Sequence, residues 1–206
     1  MKTSKQFYKE LGAEELASRK KLEHTNSELA YLKRFLNKKQ RILDLACGYG
    51  RFTIPLAKQG HNIEGLDISP NLIAKAKKDA EKEKLNIKFM EGDMTKLPYK
   101  NNMFDAIICM WSAFAELHKN SDQVKAIKEM LRVLDNRGFA FLELPEPKRQ
   151  KNRVFINVID KIASNPMYYH NKTTLVNLMR IAKPRKYKIS VENFGGRPRT
   201  LVWIWK

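Results

Sequence analysis

Apolar and polar positions follow two different rhythms along this chain. In the first forty residues Leu11, Leu16 and Leu22, then Leu29, Leu32 and Leu36, recur at near-helical spacing among charged side chains. This predicts helix, with Asn26 or Ser27 as the N-cap of a second piece and Glu28 in its first turn. From residue 41 short apolar runs alternate with amphipathic ones. Strands are predicted at 41–46, 62–67, 86–91, 104–110 and 138–144. Helices are predicted at 51–59, at 70–84 behind Ser69 as N-cap, and at 121–134, where Val124, Ile127, Met130, Leu131 and Leu134 share a face. Alternation of this kind gives a parallel sheet covered on both faces, wound by right-handed crossovers. Its ligand site lies at the carboxyl ends of the strands.

Beyond Pro145 the rhythm changes again. Residues 151–163 and 173–182 read as helices, the second starting near Asn171 or Thr173. Residues 186–193 and 200–205 read as strands around Gly195-Gly196, with Arg197 and Arg199 in the connecting loop. The expected organisation is a helical segment over 1–40, an α/β core over 41–144, a helical insertion over 145–185 and a terminal hairpin over 186–206.

Composition narrows the function classes. A hydrophobic fraction of 43% supports a real core, and 30% charged residues of both signs is not a disordered composition. No apolar run approaches the roughly 20 residues that span a bilayer, and the first ten residues are polar. Cys47 and Cys109 lie in apolar runs without a CxxC or a Cys/His cluster. They read as reduced, buried thiols, which points to the cytoplasm and away from a metal site. The net charge is +18. Residues 144–206 hold 14 basic and 3 acidic residues, so most of the excess lies there. An anionic partner or substrate and a merely solvated lysine-rich surface both fit this.

The chemistry starts at the end of the first strand, in Asp44-Leu45-Ala46-Cys47-Gly48-Tyr49-Gly50. Two glycines let the backbone turn sharply and approach a ligand. Thr53 stands where a dinucleotide fingerprint needs a small residue. Asp44 would repel a pyrophosphate but can hold an amino group.

With its LDLACGYGRFT segment, the chain resembles class I S-adenosylmethionine-dependent methyltransferases. Gly65-Leu66-Asp67-Ile68-Ser69 resembles their second motif, Gly92-Asp93-Met94 their adenine-binding turn, and Phe104-Asp105-Ala106-Ile107-Ile108 their fourth strand. Leu131-Arg132-Val133-Leu134 with Gly138 resembles the turn into the fifth strand. The resemblance implies an α/β, doubly wound, mostly parallel seven-stranded sheet closed by an antiparallel hairpin, with S-adenosylmethionine as cofactor. It assigns the cofactor to Asp44, Ala46, Cys47, Gly48, Gly50, Asp67, Ile68, Asp93, Met94 and Cys109. Asp67 would accept from both ribose hydroxyls. Asp93 would bond the adenine amine, and Met94 would pack on the ring.

The acceptor side is less specific. Trp111 and Phe114 follow the fourth strand and suit either a pocket wall or the core. The segment lacks the Asn/Asp-Pro-Pro-aromatic tetrad of amine methylation on bases, and no Pro-Cys nucleophile occurs. His118 and His170 are candidate bases. Tyr8, Tyr169 and Arg197 are candidate acceptor contacts, Arg197 through a carboxylate or phosphate. The expected activity is methyl transfer to an O, N or C atom of a small molecule. An RNA or ribosomal-protein acceptor, bound by the basic last third and its aromatic residues, is the alternative. A non-catalytic cofactor-binding protein is a third.

Overall fold

The structure is a computed structural model that describes residues 3–18, 22–146, 154–155, 158–159, 162–163, 167–194 and 197–206. Three helices lead: α1 (Ser4–Leu11), α2 (Ala13–Ser18) and α3 (Leu22–Leu32). Thr3 and Gln6 form a capping box at the start of α1, and Gly12 ends it at φ 80°. Asn26 and Ser27 do not cap a second piece. They lie inside α3, where Ser27 Oγ donates to the His24 carbonyl at 3.1 Å, the back-bond that lets serine sit within a helix.

The core follows as β1 (Arg41–Leu45), α4 (Thr53–Lys58), β2 (Asn62–Asp67), α5 (Pro70–Lys82), β3 (Phe89–Glu91), β4 (Phe104–Cys109), α6 (Asn120–Val133) and β5 (Leu134–Pro145). Pro70 occupies the first turn of α5, as its missing N–H allows. Ser69 stands at the N-cap position but its side chain caps nothing. Its backbone amide donates instead to Asp67 Oδ1 at 2.9 Å.

The expected helix over 151–163 is not found where that stretch is described. Val154–Phe155 (β6) pairs with Met167–Tyr168 (β9), and Val158–Ile159 (β7) pairs with Ile162–Ala163 (β8). The run is rich in β-branched residues, which favour extended pairing over helix. The remaining residues of that expectation lie outside the described ones. Helix α7 (Lys172–Ala182) follows, its start capped by Asn171 accepting from the Thr174 amide at 2.9 Å.

The chain closes with β10 (Lys186–Phe194) and β11 (Arg197–Trp205). The strands are longer than expected, and Arg197 and Arg199 lie within β11, not in a loop. Phe194 pairs with Arg197 and Glu192 with Arg199 in one unbroken antiparallel register.

The seven-stranded sheet has the order β10-β11-β5-β4-β1-β2-β3. β3, β2, β1, β4 and β5 are parallel, and β11 runs antiparallel to β5. One face packs on α6 and α7 through Leu43, Ile107, Leu142 and Val202. The other packs on α3 and α4 through Ile42, Ile108, Phe141 and Leu201. Burial on both faces explains why the central strands read as continuous apolar runs. Among the described residues no helix is long and apolar enough to cross a membrane.

Candidate functional site

The order of the sheet changes direction at β1, between β4 and β2. A cleft of about 850 Å3, counting the part open to solvent, lies there. Its walls include Ala46, Cys47, Gly48, Asp67, Ile68, Asp93 and Met94, contributed by the carboxyl ends of β1, β2 and β3. This is the position at which an open α/β sheet binds ligands.

The turn after β1 is left-handed at Ala46 (φ 62°), Gly48 (φ 57°) and Gly50 (φ 83°). A Cβ built on Gly48 would meet nothing within 4 Å, whereas one on Gly50 would come within 2.9 Å of Ile54. Gly48 therefore keeps space open beside the cleft. Gly50 serves the turn itself and is not on the cleft wall. Ala46 holds the same left-handed backbone without glycine's freedom, a strained residue at a ligand-sized opening.

Asp67 binds the turn to the second strand. Its Oδ2 accepts from the Gly48 amide at 2.8 Å and its Oδ1 from the Ser69 amide. Burial pushes its carboxyl up to about 6, against these donated bonds. Asp44 is fully buried behind the wall. Thr53 Oγ1 donates to its Oδ2 at 2.6 Å, while among the described residues Oδ1 has no partner. Burial pushes Asp44 up to about 7, and the nearby Asp67 charge adds to that rise. Thr53, whose size argued against a dinucleotide site, thus has a position of its own as the donor to Asp44. Asp93 Oδ1 accepts from the amide and hydroxyl of Thr95 at 2.7 and 2.8 Å, an Asx turn that fixes the loop after β3.

Several expected residues lie away from this wall. Cys109 is fully buried in the core, and Phe114, 1% exposed, packs there too. Both sit on the side facing α6 and α7, so the sheet's own packing takes them from the cleft. Tyr169 and His170 are buried outside the wall, and His118 is half-buried outside it. His170 packs against Phe114 and Tyr168 at ring distances of 5.8 and 4.7 Å. Burial holds it down at about 4, so it stays neutral. Arg197 lies on the exposed start of β11, off the cleft wall.

Tyr8 and Trp111 do line the cleft. So do three residues the sequence reading passed over: Arg51, Phe52 and Glu116. Tyr8 Oη donates to Glu116, closing α1 over the opening. Trp111 and Ser112 are both left-handed, at φ 54° and 60°. Two such residues in succession outside glycine mark a turn held by its surroundings. Arg51 is 7% exposed, ion-paired with Glu28 and bonded to Thr25 Oγ1 at 3.0 Å. Its guanidinium lies 4.4 Å from the Phe52 ring centre and 5.4 Å from that of Trp111. The only advance signal for Arg51 was its place directly after the glycine turn.

Of the aromatic residues that the RNA reading draws on, Tyr187 is exposed and two others are packed. Phe194 is 1% exposed, and Trp203 packs on Phe35 and Phe141 at 4.4 and 4.7 Å. Cys47 and Cys109 are free and buried.

Residues 42–138 match the family model of a methyltransferase domain. Over that segment the chain is similar to methyltransferase domains, and its fold is the one that solved class I S-adenosylmethionine-dependent methyltransferases share. Demethylmenaquinone methyltransferase from Deinococcus radiodurans is 35% identical over 111 residues, covering 52% of this chain and 44% of that protein. A 2-phytyl-1,4-naphtoquinone methyltransferase from Nostoc is 33% identical over 119 residues, covering 55% and 50%. The chain spans about half the length of the curated relatives it matches. A solved S-adenosylmethionine-dependent methyltransferase from Methanosarcina mazei shares the fold, with a TM-score of 0.70, 18% identity, and coverage of 84% of this chain and 95% of that one. The matched segment thus contains the strands that build the cleft.

Proposed function

We propose that this methyltransferase transfers the methyl group of S-adenosylmethionine to an O, N or C atom of a small-molecule acceptor in the cytoplasm. The observation that carries the reading is the delivery of Asp44, Asp67 and Asp93 by three successive strand ends around one glycine bend. The donor set fits the cofactor. Open space at Gly48 admits a ligand next to the backbone, and Asp44, buried behind that wall with its Oδ1 unpaired among the described residues, directs negative charge towards an ammonium group there. Asp67 uses single lone pairs of each oxygen on Gly48 and Ser69, and carboxylate oxygens have further sites for a vicinal diol. In this reading Ala46, Cys47 and Ile68 shape the wall, Asp93 takes the adenine amine and Met94 packs on its ring.

When bound, the cofactor supplies a methyl group already activated on a sulfonium. The chain's work is to hold the acceptor in line and keep water out. Tyr8 and Glu116 close the N-terminal side, and Trp111 forms a wall on the acceptor side. His118 and His170 lie off the cleft wall, so proton transfer is assigned to neither; a general base is needed only for an acceptor atom that arrives protonated and poorly acidic. The names of the two curated relatives, both quinone methyltransferases, support a small-molecule acceptor over RNA. The functional division is 1–40 as cover, 41–144 as cofactor core, 145–185 as acceptor side and 186–206 as the closing hairpin.

Calorimetry with S-adenosylhomocysteine tests the reading. The wild type should bind, and Asp67→Ala should bind about 5- to 150-fold more weakly, the loss of a charged acceptor worth roughly 1–3 kcal/mol. Equal affinities would remove the ribose assignment.

A further inference from the structure

Behind Arg51 and Trp111 of the cleft wall lie two buried ion pairs and, among the described residues, one cation without a carboxylate. Arg51 pairs with Glu28, and Arg199 Nε lies 2.8 Å from Glu143 Oε1. Each pair cancels its own charge. Arg197 precedes Arg199 by two residues on β11, so the two side chains share a face of the sheet. β11 runs antiparallel to β5, with Arg199 opposite Pro145. Its first residues therefore stand at the carboxyl edge of the parallel strands, the same edge as the cleft. Among the described residues no ion pair is made by Arg197. Partial burial first, and then the neighbouring charges of Arg199 and Arg51, hold its guanidinium below the usual value, while Glu143 and Glu28 act in the opposite sense. Arg197 thus faces both pairs and leaves the cluster with one net positive charge.

A second observation points to a ligand. Arg51 lines the cleft, yet among the described residues its buried Nη1 has no hydrogen-bond partner. A buried guanidinium nitrogen left unpaired costs the desolvation it has suffered. An incoming oxyanion would satisfy it. Beside it the Trp111 ring offers a flat wall. The turn that aims this ring is fixed by Ser112, whose amide donates to Glu143 and whose hydroxyl lies 3.4 Å from Arg199 Nη1.

We propose that the acceptor of this enzyme carries a carboxylate, held at the cleft rim by Arg197 and the open nitrogen of Arg51 with its planar part against Trp111. The inference rests on the methyltransferase reading above and assigns the acceptor's chemical class. Guanidinium groups match a carboxylate in shape as well as charge. One negative charge balances the cluster, whereas a phosphate dianion would overshoot it.

The test uses fragments in place of the unidentified acceptor. Benzoate, its neutral isostere benzamide, and phenyl phosphate are titrated by NMR into the protein with and without S-adenosylhomocysteine. Benzoate should bind at least about fivefold more tightly than benzamide. Arg197→Gln should reduce that preference below about twofold, and Arg197→Lys, which keeps the charge but not the forked donors, should retain only part of it. Arg197 is exposed, so neither variant should unfold, which a thermal melt checks. Equal binding of benzoate and benzamide, no benzoate binding, or an undiminished preference in Arg197→Gln overturns the proposal. Tighter binding of phenyl phosphate than benzoate overturns the carboxylate assignment. Affinity for S-adenosylhomocysteine on the same samples reports separately on the methyltransferase reading.

Discussion

Glu143, near the end of β5, accepts a hydrogen bond from the Ser112 amide at 3.0 Å, and Ser112 is the second of two left-handed residues after β4. The other oxygen of the same carboxylate contacts Arg199. One buried side chain thus anchors the strained turn that carries Trp111 and neutralises the arginine beside it. Glu143→Ala leaves Arg199 buried without a counter-charge and the Ser112 amide without its side-chain acceptor. The expected loss is about 3–5 kcal/mol in urea denaturation. Glu143→Gln retains an oxygen for the amide and should lose less. A Glu143→Ala protein as stable as wild type would show that the turn is held by other contacts.

Tyr8 and Glu116 are the corresponding contact on the other side of the opening. Tyr8→Phe removes only the hydroxyl. Stability should stay within about 1 kcal/mol, because a single part-exposed hydrogen bond is lost. The dissociation rate of S-adenosylhomocysteine should rise by about 2- to 10-fold in stopped-flow displacement, since affinity changes at such closures fall mainly on the off-rate. An unchanged rate would mean that α1 does not restrain the ligand.

What the sequence disclosed follows from how local each feature is. β2 was legible to the residue, because an apolar run bounded by Gly60 and a terminal Asp67 needs only its neighbours to define it. The carboxylates at the strand ends were legible for the same reason. Arg197 and Arg199 looked like loop residues, since charges beside Pro198 and two glycines resemble a turn. Only pairing with β10 and the Glu143 partner shows otherwise. The contacts that finish the acceptor side are long-range. Glu28 is 23 residues from Arg51, Ser112 is 31 from Glu143, and Tyr8 is 108 from Glu116. No periodicity announces such pairs. Phe114 and Tyr169 were candidates by residue type, and burial alone decides that they pack.

Asp44 gives a pH-dependent prediction. In the free protein its carboxyl titrates at about 7 and that of Asp67 at about 6, both above the ordinary 3.8. Between those limits the folded state binds more protons than the unfolded one. Their contribution to stability therefore declines as pH rises from about 4 to 7. Asp44→Asn mimics the protonated form and should exceed wild type in stability at pH 8, by about 1–3 kcal/mol, with the gap closing at pH 5. Binding should move the opposite way. The ionised carboxylates are the ligand-binding forms, so wild-type affinity for S-adenosylhomocysteine should fall as pH drops from 8 to 5.5. Asp44→Asn should bind at least about tenfold more weakly at pH 8. A variant that gains no stability at pH 8 would place Asp44 as an ionised, well-compensated group.

His170 is 1% exposed, and among the described residues both of its ring nitrogens lack a hydrogen-bond partner. Its folded-state value of about 4 lies below the ordinary 6.5, with burial as the cause. The unfolded chain therefore takes up a proton between pH 6.5 and 4 that the folded protein refuses. The stabilising contribution is full above about 6.5 and is lost as pH falls towards 4, by up to about 3 kcal/mol. His170→Phe keeps a ring of similar shape against Phe114 and Tyr168 and has no nitrogen to protonate. It should match or exceed wild type at pH 7.5, because two unsatisfied polar atoms leave the interior, and it should pull ahead at pH 5. Its affinity for S-adenosylhomocysteine should be unchanged, since the ring is not on the cleft wall. Parallel pH profiles of the two proteins in thermal melts would show that His170 is protonated in the fold. A proton-transfer role in the cleft would then have to be weighed again, because a charged ring at this depth requires an anionic partner.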